Sequence, residues 1–396
     1  MSLDNTDSAV AAHRAQTRPA ISWLAAPSRF AEWSRSPAIL ALVLLALVEL
    51  IGLLTPHAQI SPDATAQVSA PTTTSAKVEE KDADIVLYER IIEGVRNGQD
   101  YYSVAARELR QGNYPLRPFV AFRPPLLAEL LAHMSPLMGL LILRALVAAV
   151  MLAWGLRLRE ATGSPAAWAI ACLLLAGGVA LFGQAYYMAV HEIWAGLLVA
   201  LSLALHKPDR WVASVIAGLL AMLIRELAFP YVAIMAALAL WEGKRREAAG
   251  WAAAIVLFAI ATAFHAAAAT AAASIADHTS QGWNSHGGWS FFLTAVWLTG
   301  LLRNGPYVLV AALTPLALLG WAGWREPIAL RVFAALAGYA VMLMLFGRPD
   351  NFYWALIFTP LLMVGLIFAP RSLGELIASA RGQRGPMTST AAATSA

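Results

Sequence analysis

Long apolar runs recur along this chain, separated by short polar punctuation, and one helical membrane crossing needs about 20 apolar residues. Ten such segments are read at about 37–55, 137–156, 165–182, 191–206, 211–224, 229–242, 249–270, 305–324, 331–347 and 354–370. The short alternating segments of a closed β-barrel are absent. The pattern predicts an all-α, polytopic transmembrane helix bundle of about 10 spans, residues 37–370. A polar leader (1–36) precedes it and a polar tail (371–396) follows. Two long connections, 56–124 and 273–304, interrupt the apolar rhythm.

The first connection opens on a spacer rich in Ala, Ser, Thr and Pro (61–80) and then changes character. "DADIVLYERIIEGVRNG" puts Ile85, Tyr88, Ile91, Ile92 and Val95 at helical spacing, opposite Glu89, Arg90, Glu93 and Arg96. Too short and too charged to cross, it suits a helix lying in the interface plane. Gly94 and Gly98 end it, and "YYSVAARELRQ" begins a second amphipathic helix. The proline-punctuated link "YPLRPFVAFRPP" leads to a third short helix, "LLAELLAHM". In the second connection "WSFFLTAVWLTGLL" is apolar but short, and reads as a re-entrant or interfacial helix covering a groove.

Composition sharpens the class. Of 396 residues, 59% are hydrophobic and 13% charged, about half the roughly 25% charge of a soluble domain. Mean hydropathy is +0.61 and the pI is about 9.3. The net charge of +4 is spread over segment ends, which excludes a nucleic-acid partner. The one cysteine, Cys172, excludes disulfides and Cys-based metal sites. The leader lacks a signal-peptide cleavage pattern.

Basic residues fix the orientation. They crowd the leader (Arg14, Arg18, Arg29, Arg35), alternate turns (Arg157/Arg159, Lys207/Arg210, Lys244/Arg245/Arg246, Arg325/Arg331) and the tail. The intervening short turns hold Arg225, Arg303 and Arg348. By the positive-inside rule both termini are cytoplasmic, and 56–124 and 273–304 face the periplasm. Alanine- and arginine-rich usage and the lack of eukaryotic targeting signals indicate a bacterial inner (plasma) membrane protein.

Charges near membrane depth are costly and therefore mark function. Residues 211–242 hold two apolar segments too short for two full crossings, so the turn "IRELAFP" carries Arg225 and Glu226 below the outer surface. There they are an internal ion pair, or an arginine facing an anionic phosphate, which guanidinium geometry suits. His191 and Glu192 open the fourth segment beside Trp194, a candidate interface anchor, and adjacent helical residues point about 100° apart. "FGRPDNFYW" groups Arg348, Asp350, Asn351, Tyr353 and Trp354 at the outer end of the ninth segment. His278, Asn284 and His286 lack an i, i+4 histidine pair and read as an ordinary loop. Glu49 and Arg144, within the first two segments, snorkel or pair with each other.

Three stretches together resemble the GT-C superfamily, integral-membrane glycosyltransferases that use polyprenyl-phosphate-linked sugars. Asp82-Ala83-Asp84, in a long outer loop after the first span, is similar to the family's modified D-x-D motif. "DYYSVAARELRQGNYPL…FRPPLLAELLA" looks like its D-x-Y-Y-x-x-A-A-x-x-L-x-x-G…Y…P-P stretch. "GLLAMLIRELAFPYVAIMAALALWEGKRREAAG" is similar to its G-L-L-x-G-L-A-x-L-x-[KR] hairpin, with Arg225 at the basic position. Asp82 lies farther past the first span than is usual, which leaves Asp82/Asp84 or Asp100 for the catalytic position. Glu226 and Pro230 replace the commoner K-P pairing.

The resemblance implies an enzyme that moves a hexose or pentose from a polyprenyl-phosphate donor to a glycan, lipid or protein acceptor at the periplasmic face, with inversion. It implies Asp84, Asp82 or Asp100 as general base and Arg225, Arg348 and Arg123 as partners of the donor phosphate. Tyr101, Tyr102, His191, Glu192 and Glu226 would touch substrate. A divalent ion (Mg or Mn) held by Asp82 and Asp84 would share the phosphate charge. The competing readings are an O-antigen polymerase or ligase and a non-enzymatic transporter of small molecules or lipids. One-sided polarity and a rich early loop favour the transferase.

Overall fold

In the computed structural model the described residues are Leu24, 26–58, 83–282 and 285–383. They are all helical, with no strand beyond two isolated bridges. Helix α1 (Arg35–Leu54) is followed by the surface helices α2 (Ala83–Arg96), α3 (Tyr101–Gln111) and α4 (Leu126–Ala132). The bundle continues through α5 (Pro136–Ala161), α6 (Pro165–Gly178), α7 (His191–Leu205), α8 (Val212–Ile224), α9 (Phe229–Trp241) and α10 (Arg245–Ala272). It closes with α11 (Gly288–Thr299), α12 (Tyr307–Gly323), α13 (Pro327–Phe346), α14 (Thr359–Leu362) and α15 (Ala369–Ala380). Two 3₁₀ stretches, Pro349–Ile357 and Met363–Ile367, flank α14.

Among the described residues, α1, α5, α10 and α13 are long and apolar enough to cross a membrane. The pair Pro349–Ile357 and Thr359–Ile367, bent by 59°, makes a fifth if taken as one broken span. The other apolar segments form helices of 10–17 residues, shorter than the expected spans. Side-chain caps and prolines set several starts. Ser135 Oγ accepts from Met138 N at 3.2 Å ahead of Pro136, and Ser164 Oγ accepts from Ala167 N at 3.2 Å ahead of Pro165.

The three surface helices form as the pattern predicts and bury one another's apolar stripes. Ile85, Ile91, Ile92 and Val95 of α2 pack with Tyr101, Val104 and Leu109 of α3 and with Leu127 and Leu131 of α4. Gly94 permits this approach, because a Cβ there would stand 2.6 Å from Val104 Cγ1. By contrast, α1 exposes Leu40, Leu44, Leu47, Leu50 and Ile51, an apolar flank suited to hydrocarbon contact.

The broken segment 349–367 is held backbone to backbone. A Cβ at Gly196 of α7 would overlap the Leu356 carbonyl. One at Gly178 of α6 would lie 2.5 Å from Pro360 O, and one at Gly320 of α12 would overlap Gly365 O. Small residues give such close approach in membrane bundles. Gly320→Ala is expected to destabilise the protein by about 1–3 kcal/mol through overpacking, read as a lowered Tm in detergent. Gly374→Ala, where a Cβ meets nothing within 4 Å, should leave Tm unchanged.

Several expectations change. Helix α11 is packed inside the bundle rather than lying over it as an interfacial helix, which leaves the re-entrant alternative: Phe291 to Val296 are buried, and Phe292 stacks on Phe358 at 5.8 Å. A helix apolar all round belongs inside. Trp194 is not an interface anchor, since it is buried with its indole donating to Met188 O at 2.8 Å. Arg331 lies within α13, fully buried, rather than in an exposed turn. It donates to both carboxylate oxygens of Glu242 at 2.7 and 2.8 Å. Arg144 donates to Gly183 O at 3.3 Å, a backbone partner that sequence reading did not supply.

Candidate active site at the loop end of the bundle

At the end of the bundle that carries α2, α3 and α4 lies a cavity of about 470 Å³. The hairpin α8–α9 explains its depth. Helix α8 stops at Ile224, a 3₁₀ turn covers Glu226–Ala228, and Pro230 sits in the first turn of α9. Both helices have 13 residues, and the turn between them brings Arg225 and Glu226 to the cavity wall. The break in the main chain is satisfied from α13, where Tyr339 OH donates to Leu227 O at 2.9 Å.

Arg225 is 1% exposed and doubly paired. Its Nε donates to Glu192 Oε1 at 2.5 Å and its Nη1 donates to Glu226 Oε1. Glu192, in the first turn of α7, is equally buried and lies 3.9 Å from Arg123 Nη2. Arg123 comes from the link between α3 and α4. Its Nε donates to Tyr88 OH at 2.9 Å and its Nη2 to Tyr353 OH at 3.1 Å, with the guanidinium 5.8 and 5.9 Å from the two ring centres. Tyr101 OH anchors the same residue from behind by donating to Arg123 O at 2.7 Å.

Asp84 lines the cavity from the first turn of α2. Burial pushes its carboxyl up from the ordinary aspartate range, while a hydrogen bond donated by Tyr114 OH and the charge of Arg123 act against that rise. Arg348 reaches the cavity from the far wall, donating to Gln281 O at 3.0 Å and to Asp350 Oδ2 at 3.1 Å. A smaller pocket of about 40 Å³ shares Asp84, Tyr88, Arg123 and Tyr353 with the large one. Its remaining wall is mostly aliphatic and aromatic, including Leu181, Tyr187, Val190, Ile193 and Leu356, with Glu192 at the edge.

The two long connections are joined at the rim. Leu116 N donates to His278 O at 3.0 Å and Ser280 N to Arg117 O at 2.6 Å. Arg110 grips Asp277 through Nε at 2.8 Å and Nη2 at 2.7 Å, which holds the Asp277 carboxyl down at about 2.

Of the residues singled out from the sequence, Asp84, Tyr101, Arg123, Arg225, Glu226 and Arg348 line the large cavity, and Glu192 lines the small pocket. Asp100 does not join them. It caps α3, accepting from Ser103 N and Ser103 Oγ at 2.9 Å. Tyr102 points instead at α10, where its hydroxyl meets His265 Nδ1 at 3.0 Å. His191 packs behind the wall against the Tyr88 ring at 5.3 Å. Asp82 and Asn284 lie outside the described residues.

Sequence reading left Tyr88 among the apolar stripe of α2 and assigned no role to Tyr114. Their signal is the recurrence of phenols beside the arginine-bearing link, visible once the three segments are brought together. Among the described residues no group of three His, Cys, Asp or Glu side chains forms a cation site. Asp84 accepts from Tyr114 OH and feels the charges of Arg123, Glu192 and Asp350, while Asp82, its partner in the expected cation pair, lies outside the described residues. No family model, curated protein or solved structure matches the chain.

Proposed function

We propose that the protein is a membrane glycosyltransferase of GT-C type. In this reading about ten apolar segments sit in a bacterial inner membrane, both termini are cytoplasmic, and the cavity opens to the periplasm. A sugar moves there from a polyprenyl-phosphate donor to a glycan, lipid or protein acceptor. One observation carries the reading: a carboxylate, Asp84, and three guanidiniums, Arg123, Arg225 and Arg348, line a single cavity at one end of an apolar bundle. Basic groups at the opposite end, including Arg325, Arg331 and Arg371, agree with a cytoplasmic face there.

The acceptor hydroxyl attacks the anomeric carbon on the face opposite the phosphate, so configuration inverts. Its proton passes to Asp84 as the new C–O bond forms, and the electrons of the breaking bond go to the phosphate oxygen. In this reading Arg123, fixed by Tyr88 and Tyr353, answers the charge that gathers on that oxygen. The aliphatic small pocket takes the first part of the lipid chain.

A carrier is the second reading, favoured by the 59° break near Phe358, since discontinuous helices mark transporters. The two are separated with the purified chain in liposomes. Given a panel of polyprenyl-phosphate-linked hexoses and pentoses, the enzyme releases free polyprenyl phosphate and transfers its sugar. Solute counterflow without release from any donor would replace this reading by the carrier.

A further inference from the structure

The charges around the two pockets are not those of a simple anion hole. Arg123, Arg225 and Arg348 face Asp84, Glu192, Glu226 and Asp350, so carboxylates outnumber guanidiniums by one when all are ionised. The pairing is also unequal. Arg225 gives Nε to Glu192 and Nη1 to Glu226. Arg348 is bonded to Asp350 and to the Gln281 carbonyl. Arg123 gives its bonds to two neutral phenols, its nearest carboxylate oxygen is Glu192 Oε1 at 3.9 Å, and it lies on the wall that both pockets share.

We propose that Glu192 is a specificity-determining residue that limits the site to an anion of one negative charge, bound at Arg123. The inference rests on the lipid-phosphate reading above and adds to it a choice between a phosphate diester and a diphosphate. Glu192 lies within reach of both buried guanidiniums and withdraws half of their joint charge. Glu226 takes the other bond of Arg225, which leaves Arg123, bonded to two phenols, as the guanidinium open to an anion. A first negative charge is met by Arg123 alone. A second meets Glu192 and Glu226 with no cation left to answer it, and in a buried site that repulsion is only weakly screened.

The test uses the full-length chain in phosphatidylcholine nanodiscs, which present no anionic lipid. Two probes share their ends and differ by one charge: decyl methyl phosphate and P¹-decyl P²-methyl diphosphate. The wild type is expected to bind the phosphate about tenfold more tightly, a difference equivalent to about 1.4 kcal/mol. Glu192→Gln keeps the shape and an acceptor for Arg225 while removing the charge, and should bring the diphosphate to equal or tighter binding. A residue that only supported the fold would weaken both probes together. If Glu192→Gln is not monodisperse, Glu226→Gln, at the more open carboxylate, is expected to shift the preference in the same direction.

Equal or tighter binding of the diphosphate by wild type overturns the charge limit and leaves the transferase reading standing. A preference unchanged in the charge-removing variant overturns the assignment to Glu192. Failure of the wild type to bind either probe overturns the lipid-phosphate reading itself.

Discussion

Asp84→Asn abolishes sugar transfer while leaving the protein inserted and monodisperse. The amide still accepts the bond from Tyr114 OH, so the start of α2 keeps its contact with the link that carries Arg123. What is lost is the group that takes the acceptor proton, and general-base catalysis supplies about 10²–10⁴ in rate. The fall should appear in kcat at saturating donor, with donor affinity little changed. Wild-type rate in this variant would remove Asp84 from the chemistry. The pH profile gives a signed companion result. The base works ionised, so activity climbs as pH rises through the Asp84 value, and burial places that limb above the ordinary aspartate value of 3.8. Tyr114 donates to the ionised carboxylate and lowers the value, so Tyr114→Phe moves the limb to higher pH.

Arg225→Ala has its main effect on the fold rather than on donor affinity. Arg225 and Glu192 are each 1% exposed; Arg225 and Glu226 lie in the broken turn between α8 and α9, and Glu192 meets Arg225 from the first turn of α7. Deleting the guanidinium strands Glu192 with Arg123 at 3.9 Å as its one remaining cation and takes away the partner of Glu226. Breaking a buried pair from one side costs about 3–5 kcal/mol, because a charge is left without compensation. The expected result is a large drop in Tm, or loss of the monodisperse peak in detergent. The double replacement Arg225→Met with Glu192→Met should recover much of the loss, since apolar substitutes for a whole buried pair are close to neutral. A single alanine variant with wild-type Tm would mean that Arg225 is not committed to its neighbours and is available to a ligand.

The parts of this molecule legible in the sequence are those with a local cause. The stripe Ile85, Ile91, Ile92 and Val95 announces α2, and the two short apolar runs of 211–242 announce a polar turn between them. Asp100, by contrast, was legible as an acid but not as a cap. The difference lies in two hydrogen bonds to Ser103 that any loop aspartate three residues ahead could make. The pairing of Glu192 with Arg225, 33 residues apart, is set by how α7 packs on α8, and hydrophobic period says nothing of which polar residue meets which. The phenols were hidden for a related reason. Tyr88 sits on the apolar stripe because its ring packs there, and its hydroxyl matters only after the link between α3 and α4 brings Arg123 to it. Helix boundaries were hidden for a physical reason too: an apolar run stays apolar when a 3₁₀ stretch bends it, as around Phe358.

The glycine contacts of segment 349–367 give the cavity one stiff wall and one compliant wall. Where Gly178, Gly196 and Gly320 press on main-chain atoms, no side chain stands between the backbones to change rotamer and absorb a shift. Asp350 and Tyr353 are thus held by a strut whose position tolerates little adjustment. The facing wall, α2 and α3, rests on interlocked Ile, Val and Leu side chains, which can repack by small steps. Ligands of different girth should therefore be accommodated by displacement of Asp84 and Tyr101 on the yielding side, with Tyr353 as the fixed reference.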